Sequence, residues 1–213
     1  GKAIRNEVTL GNFIFRTREF EQMEIEYFIK EKDWEKYFKE WKKEMEEWFL
    51  GLGAKKKNIH WREHKKDELS HYSKHTEDLE YNFPFGGFKE LYGLAYRTDY
   101  DLKNHSEKSG KDLKYTDLKT SERFFPHVIE PSFGLERTIL AILSEAYCEE
   151  EIRGVKRVVL RFRPSLAPIK VAVFPLLANK PELVKKAKEV YRILKPNFVI
   201  AWDDRGNIGK RYY

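Results

Sequence analysis

The spacing of apolar and polar residues changes several times along the chain and predicts its elements. In residues 12–29 the apolar side chains fall mostly at odd positions, a period of two that favours one long β-strand. Residues 4–8 predict a shorter strand before it, with residues 9–12 as a hairpin loop. In residues 33–50 large apolar side chains recur at intervals of three and four, which predicts an amphipathic helix that packs in the core.

The middle of the chain mixes polar segments with further predicted elements. Residues 55–67 are densely charged and are expected to form an exposed insertion, and residues 103–122 are expected to form a polar loop. Strands are predicted at residues 90–102, 124–130 and 155–162. The second of these strands should end at Pro131, before a helix over residues 134–147.

A domain boundary is predicted at residues 163–168, which contain two prolines. Beyond it the pattern predicts strand, helix and strand at residues 169–177, 181–194 and 198–202. This order is typical of an α/β layer with parallel pairing. We therefore expect two domains, residues 1–163 and residues 164–213.

Composition allows a sizeable core and a polyanionic partner. Hydrophobic residues make up 41% of the chain, and 41 Lys and Arg stand against 35 Asp and Glu, for a net charge of +6. The mixed signs exclude a uniformly basic tail, and the positive balance permits binding to RNA. Cys148 is the only cysteine, so no intrachain disulfide forms and a reducing, cytoplasmic setting is expected.

Membrane association is not expected from the sequence. No apolar run approaches the roughly 18–20 residues that cross a bilayer, and the first residues have no signal-peptide pattern. The chain enters a strand-like pattern almost at once and stops without a cap or turn. We expect both ends to be cuts through a longer protein.

The first candidate site combines arginines, carboxylates and an aromatic ring on the predicted hairpin. Its segment is Arg5-Asn6-Glu7, and the strand that follows places on one face Arg16, Arg18, Phe20 and Glu24. Arginine can hold phosphate oxygens with two donors, and a Phe ring offers a plane for a base, so this face suits a nucleotide. The residues alone favour the alternative, a solvated sheet face with cross-strand ion pairs.

The second candidate site is the segment at residues 130–137 (EPSFGLER). Arg137 falls in the first turn of the predicted helix, where a cation opposes the helix dipole. An anion held jointly by Arg137 and the helix N-terminus would explain that placement. The alternative is a surface Arg paired with Glu136 or Glu130.

The third candidate site is the strand at residues 93–99. By the period of two, Gly93 and Ala95 share one face with Arg97 and Asp99. A pocket floored by such small residues could admit a very small carboxylate, with Arg97 as its partner. The alternative is close strand packing with a structural Arg–Asp pair. The histidines lack a zinc spacing, and neither a Walker loop nor a Ser–His–Asp signature is present.

Taken together, these segments resemble the class II aminoacyl-tRNA synthetases, specifically glycyl-tRNA synthetases of the dimeric archaeal and eukaryotic-like type. RNE at 5–7 with FIFRTREFEQMEIEYF at 13–28 is similar to their motif 2, and PHVIEPSFGLER at 126–137 to their motif 3. GLAYRTDYDL at 93–102 and HYSKHTEDLEY at 71–81 resemble segments between these motifs. LAPIKVAVFPL at 166–176 and DDRGNIGKRY at 203–212 resemble the start of the anticodon-binding domain.

The resemblance implies an α+β fold. Residues 1–163 would form the class II catalytic core, an antiparallel sheet with flanking helices and insertions at about 30–70 and 103–122. Residues 164–213 would form the N-terminal part of an α/β anticodon-binding domain. The motif 1 region and the end of the anticodon-binding domain would then lie outside this sequence.

The resemblance also implies the reaction, in which glycine is activated by ATP with Mg²⁺ and transferred to tRNA(Gly). The partners would be glycine, ATP, tRNA(Gly) and a second subunit in a full-length cytoplasmic homodimer. The implied ATP-binding residues are Arg5, Asn6, Glu7, Arg16, Phe20, Glu90, Leu91, Gly134 and Arg137, with Arg5 and Arg137 catalytic and Glu90 also near Mg²⁺. The implied glycine-binding residues are Glu24, Arg97, Glu130 and Ser132.

The sequence departs from the usual family pattern at two places, and two rival functions remain open. Thr9, Leu10 and Gly11 stand where the family usually has Ser-Pro-Arg, which removes an Arg that would face the tRNA acceptor end. Glu136 stands where Asp is common. The rivals are a noncatalytic synthetase-like nucleic-acid-binding protein and one half of a split synthetase.

Overall fold

The computed structural model describes residues 1–212, which form two compact units, Gly1–Arg161 and a second unit that begins at Phe162. The helices and strands of the first unit are β1 (Lys2–Ile4), β2 (Glu19–Glu24), β3 (Tyr27–Ile29), α1 (Trp34–Gly51), β4 (Ile59–Glu63), β5 (His75–Phe83), β6 (Gly87–Thr98), α2 (Tyr100–Ser109), β7 (Tyr115–Thr116), β8 (Arg123–Phe124), β9 (His127–Gly134), α3 (Leu135–Ala146), β10 (Tyr147–Ile152) and β11 (Val155–Leu160). Among the described residues, no helix is long and apolar enough to cross a membrane.

A seven-stranded sheet is the frame of the first unit. Its strands follow the order β1-β2-β9-β6-β5-β4, and β3 also pairs with β9. Every pairing in this sheet is antiparallel. The predicted α+β class is therefore confirmed.

The predicted strand over residues 12–29 is wrong in its first half and interrupted in its second. The chain turns at residues 12–15, where Asn12 and Phe13 have positive φ angles of 55° and 57°. The strand begins only at Glu19. The predicted strand at residues 4–8 is also wrong, because β1 spans Lys2–Ile4 and residues 5–8 form a loop. Arg5 and Glu7 therefore reach the same region from a loop and not through strand alternation.

Pro131 explains the interruption between β2 and β3. Glu24 pairs with Ser132 and Tyr27 with Ile129, so the two short strands continue in one register along β9. Ile25 donates its N–H to the Pro131 carbonyl at 3.0 Å, but proline has no N–H with which to return the bond. The prediction that β9 ends at Pro131 is wrong, because the strand continues through this residue to Gly134.

Helix α1 confirms the amphipathic helix predicted at residues 33–50. Its buried residues are Phe38, Met45 and Phe49, and they pack against the aromatic side chains of the sheet. Phe49 meets Tyr92 edge-to-face at 5.7 Å between ring centroids. Such ring pairs add to the stability that burial provides, so the aromatic stripe of α1 is part of the core.

Two polar segments contain more regular structure than predicted. Most of residues 55–67 are exposed, as expected, but the segment also contains β4, the edge strand of the main sheet, whose Ile59 is buried. The extended run predicted to residue 102 ends at Thr98, and α2 follows within the predicted polar loop. The rest of that loop contains the small hairpin β7–β8.

The second unit is a small α/β layer. Its elements are β12 (Val171–Val173), α4 (Pro181–Leu194), β13 (Ile200–Trp202) and α5 (Ile208–Arg211). The strands β12 and β13 pair in parallel, as predicted. Tyr191 on α4 meets Trp202 on β13 edge-to-face, and Arg211 donates to the Pro175 carbonyl at 2.6 Å, which ties α5 to the end of β12.

Candidate active site

A cleft opens over the face of the main sheet near Ser132. Its walls come from the loop before β2, from β2, β6 and β9, and from the start of α3. The predicted site residues that line it are Arg5, Glu7, Arg16, Phe20, Glu90, Leu91, Ser132, Gly134 and Arg137. Residues far apart in the sequence therefore converge, because β9 lies between β2 and β6 in the sheet.

The remaining predicted site residues lie outside the lining of this cleft. Glu24 is paired in register with Ser132, and Glu130 lies two residues before Ser132 on β9. By strand alternation these side chains face the same side of the sheet as the cleft. Arg97 joins Glu130 through an ion pair of 2.6 Å. Asn6 is exposed on the loop and contributes no lining atom.

The loop before β2 positions two arginines through a carboxylate and a ring. Arg16 donates from Nε to the Glu7 carboxylate at 2.8 Å, and Arg18 donates to the Glu7 backbone carbonyl at 3.2 Å. The Arg5 guanidinium lies 5.3 Å from the centre of the Phe20 ring. A flat ring with a cation beside it suits a purine base carrying phosphates.

Arg137 lies in the first turn of α3, as predicted, and pairs with neither Glu136 nor Glu130. Its Nη1 forms an ion pair with the Glu90 carboxylate at 3.0 Å and donates to the Glu90 backbone carbonyl at 2.9 Å. Its guanidinium also lies 4.5 Å from the centre of the Phe15 ring. Glu136 instead accepts from the backbone N–H of Glu21 at 2.9 Å, which joins α3 to β2.

Arg97 is held on three sides. Besides Glu130 it contacts Asp101 on α2, at 2.8 Å from Nε, and the ring of Tyr72, whose centre lies 4.0 Å away. The predicted partner Asp99 is not on this face, because Thr98 has a positive φ of 60° that ends the strand alternation. Asp99 instead pairs with Lys103 at 2.6 Å.

Glu130 carries the most informative pKa among these acids. Its burial raises the pKa to about 7, the neighbouring carboxyl of Glu26 adds to the rise, and Arg97 opposes it. Sequence reasoning missed Glu26. The signal that could have identified it is its spacing of two from Glu24, which places both carboxyls on one strand face. Tyr72 and Asp101 were also missed, since their roles depend on tertiary contacts.

Candidate metal ligands are few. Within residues 1–212 no group of three or more His, Cys, Asp or Glu side chains has metal-binding geometry. Glu90 faces the cleft with its side chain 53% exposed. One carboxylate of this kind fits Mg²⁺, which commonly binds one or two carboxylates together with substrate phosphates.

Comparison with known protein families gives a match over most of the chain. Residues 1–146 match the family described as "tRNA synthetase class II core domain (G, H, P, S and T)". The chain is 52% identical over 215 residues to the glycine–tRNA ligase of Caldanaerobacter subterraneus subsp. tengcongensis, and that alignment covers 100% of the chain and 45% of the relative.

Other bacterial relatives give the same result. The glycine–tRNA ligase of Clostridium kluyveri is 51% identical over 216 residues, covering 100% of the chain and 45% of the relative. That of Streptomyces coelicolor is 51% identical over 222 residues, covering 100% of the chain and 47% of the relative. The chain therefore spans about half the length of the curated relatives it matches.

Proposed function

This chain belongs to the class II tRNA synthetase core family, and we propose that it is part of a glycine–tRNA ligase, which activates glycine with ATP and transfers it to the 3′ end of tRNA(Gly). The observation that carries the proposal is the joint lining of one cleft by Arg5, Phe20, Glu90, Ser132 and Arg137. Arg5 and Phe20 come from the segments that resemble motif 2, Ser132 and Arg137 come from the segment that resembles motif 3, and Glu90 lies on β6 between them in the sequence.

ATP fits the half of the cleft that the arginines line. Arg5 would hold the α-phosphate, Phe20 would stack on adenine, and Glu7 would meet the adenine end, with Arg16 as a further contact. Arginine suits this role because its guanidinium binds phosphate oxygens with paired donors. Asn6, Leu91 and Gly134 would complete the ATP site through their positions beside these residues.

Arg137 would hold the γ-phosphate. Its ion pair with Glu90 is half-exposed, so exchange for a phosphate carries a small electrostatic cost. Mg²⁺, when bound, neutralises phosphate charge and polarises the phosphorus that is attacked. Glu90 is the residue of this chain that would hold it.

Glycine fits beside the ATP site, where Glu24, Glu130 and Ser132 would surround its ammonium group and Arg97 would contact its carboxylate. Gly93 pairs with Ser132 across the strands and lines the cleft, so the floor has no side chain there. A larger amino acid would clash with this floor and its neighbours, which would favour glycine.

The reaction requires no nucleophile from the protein. The glycine carboxylate attacks the α-phosphorus, a new P–O bond forms, and the bond to pyrophosphate breaks with its electron pair on the leaving group. The ribose hydroxyl at the tRNA 3′ end then attacks the glycyl carbonyl and releases AMP. The residues act by aligning the reactants and by stabilising charge that develops on the phosphate.

The remaining parts of the proposal concern the whole protein. We assign it to the dimeric archaeal and eukaryotic-like type, working as a cytoplasmic homodimer, with the second unit as the start of an anticodon-binding domain. The parallel strand–helix–strand order of the second unit supports the anticodon-binding assignment. Gly11 at the loop before β2 implies that acceptor-end contact there uses groups other than the Arg usual in the family.

A noncatalytic nucleic-acid-binding function is less well supported. A protein that had lost catalysis would have no reason to keep the phosphate-binding arginines together with the acids of the glycine site. Arg5, Arg137, Glu24 and Glu130 are all present and lie on one side of the sheet or at its edge. A split synthetase, in which a second chain supplies the rest of the enzyme, would use the same residues.

Glycine-dependent ATP–pyrophosphate exchange on the full-length protein tests the proposal. Exchange with glycine, none with alanine or serine, and loss in Arg137→Ala are the expected results. Arg123→Ala on β8, outside the cleft, is the matched control and should retain exchange. Absence of glycine-dependent exchange in the wild-type protein would refute the proposed function.

A further inference from the structure

Glu26 and Glu130 lie directly opposite each other across the sheet. The register that pairs Glu24 with Ser132 and Tyr27 with Ile129 places Glu26 against Glu130. The neighbouring pair, Ile25 with Pro131, makes the backbone hydrogen bond of 3.0 Å. In an antiparallel ladder the next pair is then non-hydrogen-bonded, the kind whose side chains lie closest. The two carboxyls therefore face the cleft side of the sheet together.

The closeness of these acids favours a proton on one of them. Glu26 lies opposite Glu130 on one face of the sheet, and two neighbouring carboxylates repel each other when both are ionised. The Glu130 side chain is only 12% exposed, and its burial is the main cause that raises its pKa to about 7. Near neutral pH Glu130 thus stands at the point of gaining or losing its proton.

Charge around the pair is strongly acidic. Glu24 lies on the neighbouring position of β2, Asp101 approaches from α2, and Arg97 on β6 is the cation that faces Glu130. The Tyr72 ring lies against Arg97 at 4.0 Å. Among the described residues, no Lys, Arg or His forms an ion pair with Glu24 or Glu26. The acids therefore exceed the cations, and the site has a deficit of positive charge.

An ammonium group would remove that deficit. It carries one positive charge and three N–H donors, which match carboxylate oxygens on neighbouring strands. Gly93 and Ser132 leave space for it at the edge of the cleft, next to Glu130. Binding of a cation there would make the proton on Glu130 unfavourable, since both would compete for the same oxygens.

We propose that Glu26 is a positioning residue for the amino acid, and that the Glu26–Glu130 pair exchanges its proton for the ammonium group of the substrate. The inference rests on the proposed function and adds to it a role for Glu26 and the release of a proton when glycine binds. No covalent bond changes in the exchange. The proton passes from the carboxyl pair to solvent, and the freed oxygens accept the ammonium N–H groups. Glu26 acts through Glu130 by setting the pH at which that carboxylate becomes available.

The test compares the pH dependence of the KM for glycine in full-length wild-type protein and in Glu26→Gln, measured by pyrophosphate exchange at saturating ATP. Gln keeps the size of the side chain and removes its charge. Glu19→Gln, on the same strand but paired with Lys2 at the sheet edge, is the matched control. Unfolding temperatures of the variants at pH 7 establish that both are folded.

In the wild-type protein the KM for glycine should fall about tenfold between pH 6 and pH 8, as Glu130 loses its proton. In Glu26→Gln the change should shrink to about twofold, because Glu130 then ionises at lower pH. Glu19→Gln should follow the wild type. Coinciding profiles for Glu26→Gln and the wild type would overturn the inference and leave the proposed function standing. Absence of glycine-dependent exchange in the wild type at every pH would instead overturn both.

Discussion

One nitrogen of Arg137, Nη1, forms an ion pair with the Glu90 carboxylate at 3.0 Å and donates a hydrogen bond to the Glu90 backbone carbonyl at 2.9 Å. The Arg137 guanidinium, which is proposed to bind the γ-phosphate, is therefore held next to β6 by Glu90, the residue proposed to hold Mg²⁺. The Phe15 ring supports it from the other side, 4.5 Å from the guanidinium. These contacts orient the guanidinium before any substrate binds, which reduces the entropy lost on binding.

Arg137→Lys should therefore impair ATP use even though it keeps the charge. Lysine has no planar fork, so it loses the paired donors and the stacking on Phe15. We expect kcat/KM for ATP in pyrophosphate exchange to fall about 100-fold, the size typical for loss of one charge-stabilising donor. Arg123→Lys, outside the cleft, should stay within about twofold of the wild type. A wild-type value for Arg137→Lys would contradict the role given to Arg137.

Gly93→Ala should separate glycine binding from folding. A Cβ at Gly93 would lie 3.8 Å from the nearest atom, Oδ1 of Asp78, which is an ordinary contact. Stability should therefore change by less than about 1 kcal/mol. The added methyl faces the cleft opposite Ser132, and the KM for glycine should rise about tenfold or more, as expected for one methyl group in a closely fitted pocket.

The matched control for this change is Gly51→Ala in α1. Apart from the helix's own backbone, nothing lies within 4 Å of where a Cβ would stand, and alanine is the better helix former. Its KM for glycine should equal that of the wild type. A Gly93→Ala protein that keeps the wild-type KM would show that this strand does not form the floor of the glycine site.

Glu145 should contribute strongly to stability although it lies outside the cleft. Its side chain is 5% exposed, and Oε1 accepts from Asn58 at 2.5 Å and from the Tyr81 hydroxyl at 3.2 Å. The residue thus joins α3 to β5 and to the turn before β4. Glu145→Ala would leave these buried donors unpaired, and the free energy of unfolding should fall by about 2–4 kcal/mol.

Urea denaturation of the full-length protein measures this loss. Glu189→Ala on α4 is the control, because the side chain of Glu189 is 56% exposed and its partner Lys186 is 69% exposed. Exposed pairs of this kind contribute less than about 1 kcal/mol. Equal losses in the two variants would contradict the assignment of Glu145 as a buried link.

The periodicity of apolar residues correctly predicted the helices and strands that depend only on their local sequence. The helix α1 and the helix α4 follow from apolar spacing alone, and the parallel pairing of β12 and β13 follows from strand–helix–strand order. The prediction failed where a single backbone group decides the outcome. Thr98 ends β6 through a positive φ, and Pro131 interrupts the ladder of a partner strand remote in sequence.

The candidate site was likewise predicted only in part from the sequence. The cleft brings together Arg5, Phe20 and Arg137, as the resemblance to known motifs implied. Glu26 lies opposite Glu130 because of the register in which β3 pairs with β9. That register depends on both strands together, so the sequence of either strand alone does not predict it. For the same reason the sequence did not predict β4 within the charged segment at residues 55–67, because this strand forms through its edge pairing with β5.

The carboxyl pair of Glu26 and Glu130 should also be detectable without substrate, through the effect of pH on stability. The pKa of Glu130 is raised from its ordinary value of 4.5 to about 7 in the folded protein. A carboxyl with a higher pKa in the folded state favours folding below pH 4.5 and loses that contribution as the pH rises through about 7. Glu26 is part of this loss, because its charge opposes ionisation of Glu130.

Glu26→Gln should therefore stabilise the full-length protein at pH 8 and change little at pH 4.5, where Glu130 is protonated with or without Glu26. The expected gain at pH 8 is about 1 kcal/mol, read as a rise in unfolding temperature in calorimetric scans at the two pH values. Glu19→Gln removes an exposed carboxylate paired with Lys2 and should shift the unfolding temperature similarly at both. A gain in Glu26→Gln that is the same at pH 4.5 and pH 8 would show that the two carboxyls do not interact.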